Sequence, residues 1–275
     1  MSDDIAFRAA DFSHPIFDPL RPALEPLAGG DWPSLEQLNS LAGRVAPRTA
    51  SGHAVRFVAP AARAPAYETL IDGTGRVPTR ERNWHDLFNA LAWLAFPRSK
   101  AALNALHVAE MAREGGRRGP VRDLLTLLDE GGALVAYSDD ALPDLAREFR
   151  WKELFWERRA SVAQGMRLAV LGHAVLEKGL QPWPGVTCKA LFFRLPAELL
   201  AAPAVEVARE LDRRAADWLL AYAAHRTPRD VPPLPVFGFP DWYLGNENGE
   251  FYDDTRYFRP FRRALAGAAD ASRIG

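Results

Sequence analysis

The run from Thr79 to Asn104 constrains this chain more than any other stretch, because a strong helical pattern of Trp, Phe and Leu is broken once, at Pro97. Proline lacks the N–H and clashes with the preceding turn, so one helix ends there. Ser99 can cap a second. A short connection predicts two antiparallel neighbouring helices. Asn83 and Asp86 suit the first helix's start, as an N-cap and an acid at the positive end of the dipole. His85 and Asn89 are four apart and share a face that continues through Trp93 and Phe96. Lys100, Asn104 and His107 share a face of the second helix. The two polar faces can converge on one cleft. The plainer alternatives are a satisfied core histidine, a buried asparagine hydrogen bond, and a solvated surface for Lys100 and His107.

Around this stretch the pattern is mainly helical. Residues 1–30, rich in Pro and aromatics, read as an extended arm with a short helix. A helix through Leu35, Leu38 and Leu41 starts near Pro33 and stops at Gly43. Ala54–Ala59 alternates as a strand, and Tyr67–Ile71 reads as a second strand before the turn residues Asp72–Gly75. The stretch closes at Gly115 and Gly116, before an Arg- and Gly-rich loop to Pro120. Leu124–Leu128 and Ala133–Tyr137 flank Asp129–Gly132, which predicts a hairpin with Asp129 and Glu130 solvated at its turn. Asp139–Leu180 is helical with a break near Pro143, and Gly172 falls inside that helix. Cys188–Leu195 is ambiguous, and Ala204–Tyr222 is an amphipathic helix. Residues 226–275 form a Pro- and aromatic-rich tail whose aromatics need burial, so it is expected to wrap the body. The expected architecture is a single α+β domain over residues 1–275, predominantly α-helical, with a few short strands or hairpins.

Composition excludes several classes. The chain has 275 residues, 48% hydrophobic and 25% charged, with a formal net charge of −1. No global field attracts nucleic acid or an anionic membrane. Cys188 is the sole cysteine, so there is no internal disulfide and no cysteine-based zinc site. The acidic N-terminus shows no signal peptide and no run is long enough to span a bilayer, so a cytoplasmic setting is expected. The motifs GxxxxGK[ST], GxSxG and HExxH are missing; the second absence removes the common serine-hydrolase reading, and the third disfavours a zincin site.

A second polar run is Gly172–Lys178, where His173 and Glu177 at i and i+4 share a helix face. That spacing serves a metal, an acid/base pair or a structural hydrogen bond. The segments 83–97 and 100–104 resemble the signature of the proteobacterial domain of unknown function 3025 family. So do 122–131, 172–178 with Lys189 and Ala190, and 251–260. The resemblance spans most of the chain and implies a cytoplasmic bacterial protein; it carries over no catalytic residues.

Two functions follow as expectations. In one, His85, Asn89, Lys100, Asn104, His173 and Glu177 form a catalytic pocket for a small polar or anionic ligand. Either a divalent metal held by His85, Asp86, His173 and Glu177 activates water, or His173 with Glu177 acts as general base while Lys100 and Asn104 bind an anionic or carbonyl group. In the other, the same residues form a structural hydrogen-bond network in a ligand-binding or scaffold protein. Oligomeric state is left open.

Overall fold

In the computed structural model, residues 5–63, 65–115 and 118–260 are described. The N-terminal arm is a series of 3₁₀ turns around the short helix α1 (Arg21–Leu24), and it buries Phe7, Ile16, Phe17 and Leu20. α2 (Leu35–Val45) follows, opened by a capping box in which Ser34 and Gln37 satisfy each other's backbone N–H groups. β1 (Arg56–Val58) pairs in parallel with β2 (Arg76–Pro78), on either side of α3 (Tyr67–Thr74). Residues 67–71 are thus helical and not a strand. Ile71 is the one buried residue of α3, so an apolar run suggestive of a strand is a helix that buries a narrow stripe.

α4 (Trp84–Ala95) and α5 (Pro97–Arg113) are the two helices around Pro97. Phe96 takes a non-helical conformation between them (φ −128°, ψ 54°). α6 (Pro120–Gly131) runs directly into β3 (Gly132–Tyr137), which replaces the expected hairpin by a helix and a strand. Leu124, Leu125 and Leu128 share the buried face of α6 while Leu127 stays exposed, a helical period that the two flanking glycines obscure. The loop expected to lead into α6 includes residues 116 and 117, outside the described residues.

The region 139–180 is less uniform than its pattern suggests. α7 (Ala141–Arg147) and a π-helical turn (Glu153–Glu157) lead into α8 (Arg159–Gly165), then the strand β4 (Met166–Val170), then α9 (His173–Lys178). β5 (Thr187–Arg194) resolves the ambiguous run as a strand. α10 (Ala197–Leu200), α11 (Ala204–Tyr222) and β6 (Pro233–Pro235) complete the elements.

The main sheet has the order β4-β3-β5-β6, with β3 parallel to β5 and antiparallel to β4. β3 is buried on both faces. Ala133 and Val135 point into the larger core, shared with α4, the arm and the tail. Leu134 and Ala136 point into a second core with α6 and α11. Period two along a strand produces this split. In the tail, Phe237, Phe239, Tyr252 and Phe258 sit in the larger core, and Trp151 donates through Nε1 to the Arg259 carbonyl at 2.8 Å. Residues 261–275 lie outside the described residues. The architecture is a predominantly helical α+β domain. Among the described residues no helix is long and apolar enough to cross a membrane.

Candidate functional site

The starts of α4, α5 and α9 and the end of α6 build the site around one end of the main sheet. Asn83 caps α4, its side chain accepting from the Asp86 N–H at 3.0 Å. That cap fixes the turn from which His85 and Asn89 project. α5 starts at Pro97, and its first free N–H groups are satisfied from outside: the Asp212 carboxylate of α11 accepts from Arg98 and Ser99 at 3.1 and 2.8 Å. Ser99, expected as the cap, instead sits fully buried as the third residue of the helix and donates to the Asp212 carbonyl.

Asp129 lies in the last turn of α6, just before β3, and His173 follows β4 by three residues. Because β3 and β4 pair with Ala133 opposite Val170, both residues arrive at the same end of the sheet. Gly172 is the N-cap of α9 and not a helix-interior residue. A Cβ there would lie 2.5 Å from the Gly132 nitrogen and 2.6 Å from the Glu130 carbonyl oxygen. Only glycine lets the His173 backbone pack so closely on the 130–132 segment.

The result is a cleft of about 280 Å³ lined by residues of α3, α4, α5, α6 and α9. Lys100, 3% exposed, donates to Asn89 Oδ1 at 2.8 Å and to Asp129 Oδ1 at 2.5 Å. Asn89 Nδ2 in turn donates to the Tyr67 hydroxyl at 2.7 Å. Lys100 has no acceptor capacity, so this contact fixes the Asn89 amide orientation. The Asn104 amide is fixed likewise, with Nδ2 donating to the Glu68 carbonyl at 3.0 Å and Oδ1 buried without a partner.

His85 and His173 meet edge to face, ring centroids 4.4 Å apart, with their Nε2 atoms 3.1 Å from each other. Glu177 Oε2 stands 3.5 Å from His85 Nδ1, and Asp129 Oδ2 stands 3.8 Å from His173 Nδ1. The four groups form a line: Glu177, His85, His173, Asp129. His85 has a side chain 40% exposed, whereas His173 is buried.

Burial pushes His173 down to about 4, with Lys100 and His85 adding to the effect and Asp129 opposing it. His173 is therefore neutral at pH 7. Burial disfavours the Asp129 carboxylate, yet Lys100 and then His173 hold its pKa below the ordinary 3.8. With His173 neutral, the Lys100 ammonium carries that stabilisation. Burial also lowers His107, against the pull of Glu68 and Asp129, and raises Tyr67 well above the usual phenol range.

The expected metal set is not assembled. Arg80 engages both carboxylate oxygens of Asp86, through its backbone N–H (2.7 Å), Nε (2.9 Å) and Nη2 (2.9 Å). Glu177 and His173 address opposite nitrogens of the His85 ring, so they extend a line and do not surround a point. Among the described residues, no three His, Cys, Asp or Glu side chains could hold a metal ion. The residues present do not fit a divalent ion.

His85, Asn89, Lys100, Asn104 and His173 all line the cleft, as does Asp86; Glu177 stands behind His85. The expected pairing of His173 with Glu177 along one helix face is replaced by contact through His85. Lys100 is 3% exposed, and Asp129 neutralises its charge while Asp129 and Asn89 take two of its three N–H groups, so it offers a ligand no unpaired charge. Tyr67 and Asp129 escape a reading that assigns their segments to a strand and a hairpin turn. A signal for Asp129 exists: a carboxylate in the last turn of a helix opposes the dipole, as does a lysine in the first turn. Lys100 and Asp129 each occupy the unfavourable end of their helix, and each is compensated by the other.

Comparison with curated proteins and with solved structures gave no match. The profile of the family described as Protein of unknown function (DUF3025) matches residues 55–262, a span that contains every residue of the cleft, and the chain belongs to that family.

Proposed function

We propose that the cleft is the pocket of a general acid–base enzyme acting on a small polar molecule, with the His85–His173 pair as its proton-transfer group. The observation that carries this reading is the line of contacts from Glu177 to Asp129. A neutral imidazole holds one N–H. The Nε2–Nε2 contact uses one of the pair's two protons, so one outer nitrogen is left bare against a carboxylate. A third proton puts an N–H on both outer nitrogens, His85 Nδ1 facing Glu177 at 3.5 Å and His173 Nδ1, which has no hydrogen-bond partner, facing Asp129 at 3.8 Å. The neutral pair is thus a base, and the protonated pair an acid whose charge two carboxylates stabilise. Burial of His173 keeps the inner ring neutral at pH 7, and the exposed edge of His85 gives the pair access to solvent.

In this reading Lys100 holds Asp129 ionised beside His173, and Asn89 ties Lys100 to Tyr67. These residues orient the pair and set its charge; they need not touch the substrate. A second reading is favoured by the fact that Lys100, Asn89 and Asp129 satisfy one another: a structural network in a protein that binds but does not turn over its ligand.

The test is a panel of small amides, esters and amidines, scored both for turnover and for a rise in melting temperature. For a compound that is turned over, His173→Gln should lower the rate by about 10²–10⁴-fold while the melting shift persists. Turnover unaffected by His173→Gln, or no compound acting on the wild-type chain while the variant merely loses stability, leaves the network reading in its place.

A further inference from the structure

The cleft has a second end that the histidine pair does not use. It is formed by Tyr67, Glu68, Asn104 and His107. Asn104 and His107 are each 6% exposed, and both have a polar atom with no partner: Asn104 Oδ1 and His107 Nδ1. Leaving a buried polar atom unsatisfied costs on the order of 1–3 kcal/mol. His173 Nδ1, 3.8 Å from Asp129, is a third such atom in the cleft, but those of Asn104 and His107 lie three residues apart on α5 and mark a place where something else completes the hydrogen bonds.

The chemistry of that partner follows from what the atoms can do. Asn104 Nδ2 already donates one of its N–H groups to the Glu68 carbonyl, whereas its Oδ1 is buried without any partner, so the unmet need of the amide is for a donor. Burial disfavours the charged form of His107, and in the tautomer with its proton on Nε2 the ring offers Nδ1 as a second acceptor. The charges point the same way. Four carboxylates and two cations line the cleft. Arg80 is paired with Asp86 and Lys100 with Asp129, at 2.9 and 2.5 Å. Glu68 and Glu130 have no ion pair among the described residues, so the cleft has an excess of two negative charges. In a partly desolvated concave site such an excess attracts a cation and repels an anion. The anionic ligand expected from Lys100 and Asn104 would meet no uncompensated cation, because the Lys100 charge is already paired with Asp129.

We propose that this end of the cleft binds a small organic nitrogen cation, such as an alkylguanidinium or amidinium, whose N–H groups complete Asn104 Oδ1 and His107 Nδ1 and whose charge is met by Glu68 and by the excess of carboxylates along the cleft. The inference deepens the acid–base reading, on which it rests, by naming the class of molecule placed beside the histidine pair. A flat cation with several N–H donors satisfies two separated acceptors at once, which a single water bound to one of them does not.

The experiment is isothermal titration calorimetry of the full chain at pH 7 with methylguanidinium chloride, against sodium acetate and inorganic phosphate at equal ionic strength. The expected result is saturable one-site binding of methylguanidinium and no binding of either anion. Asn104→Leu should weaken that binding at least tenfold. Glu68→Gln, at a half-buried position that tolerates the change, should weaken it about threefold and keeps the question open to refutation if the Asn104 variant does not fold. Absence of saturable binding, preference for either anion, or unchanged affinity in both folded variants overturns the proposal. His173→Gln separates the two readings. Methylguanidinium binding that survives in this variant, with turnover by the wild-type chain insensitive to it, removes the acid–base pair but keeps the cation site. Turnover that depends on His173 without methylguanidinium binding removes the cation site alone.

Discussion

Replacing Lys100 by methionine separates the charge of this side chain from its volume. Lys100 is 3% exposed, and its ammonium is shared between Asp129 at 2.5 Å and Asn89 at 2.8 Å. Methionine fills a similar space but leaves the Asp129 carboxylate next to a neutral His173 with no compensating charge. Breaking one side of a buried ion pair costs about 3–5 kcal/mol. The Asp129 side chain keeps 25% of its exposure, so water recovers part of this, and the lower end, about 3 kcal/mol, is expected at pH 7. The pH dependence is the sharper mark. Asp129 has its folded pKa held below the ordinary 3.8, so its contribution is full above that value and lost as pH falls through the folded pKa. The cost of Lys100→Met should therefore be greatest at neutral pH and shrink on acidification, because protonating Asp129 removes the stranded charge. Urea unfolding of Lys100→Met, Asp129→Asn and the double variant at pH 7 and in acid gives the coupling energy directly. The reasoning is refuted if Lys100→Met costs under about 1 kcal/mol at pH 7, or if the double variant is no more stable than Lys100→Met.

Three further outcomes are expected. His173 has its folded pKa lowered from 6.5 to about 4, so its contribution is present above pH 6.5 and lost as pH falls towards 4. Across that window the wild-type chain should lose roughly 3 kcal/mol that His173→Gln does not, at about 1.4 kcal/mol per pKa unit, measured by denaturant unfolding at several pH values. Gly172→Ala should destabilise by about 3 kcal/mol, because the new methyl group meets backbone atoms that cannot move aside; a melting temperature equal to the wild type's would contradict the close approach. Asp212→Ala should cost about 2 kcal/mol by orphaning the Arg98 and Ser99 N–H groups. Asp212→Asn should cost less in the same unfolding assay, since it keeps an acceptor and removes a carboxylate whose pKa burial raises.

The sequence by itself determined the elements whose cause is local. Pro97 set the break between α4 and α5, Asn83 set the start of α4, and the period of Ala204–Tyr222 set the bounds of α11. Each of these depends on residues within a turn or two of one another. It also determined that His85, Asn89, Lys100 and Asn104 share helix faces, because helical spacing is enough to say so. Where the local signal was short or interrupted by glycine, as at Tyr67–Ile71 and Asp129–Gly132, periodicity over four or five residues did not separate strand from helix.

Tertiary structure alone decided which polar groups meet. Asp212 caps α5 from more than a hundred residues away, and His173 reaches His85 across eighty-eight positions because β4 pairs beside β3. The Lys100–Asp129 pair is the clearest case. Each residue sits at the end of its helix where the dipole disfavours its charge, a local disadvantage visible in the sequence. Only the packing of α5 against α6 brings the two disadvantages together and makes each the other's compensation.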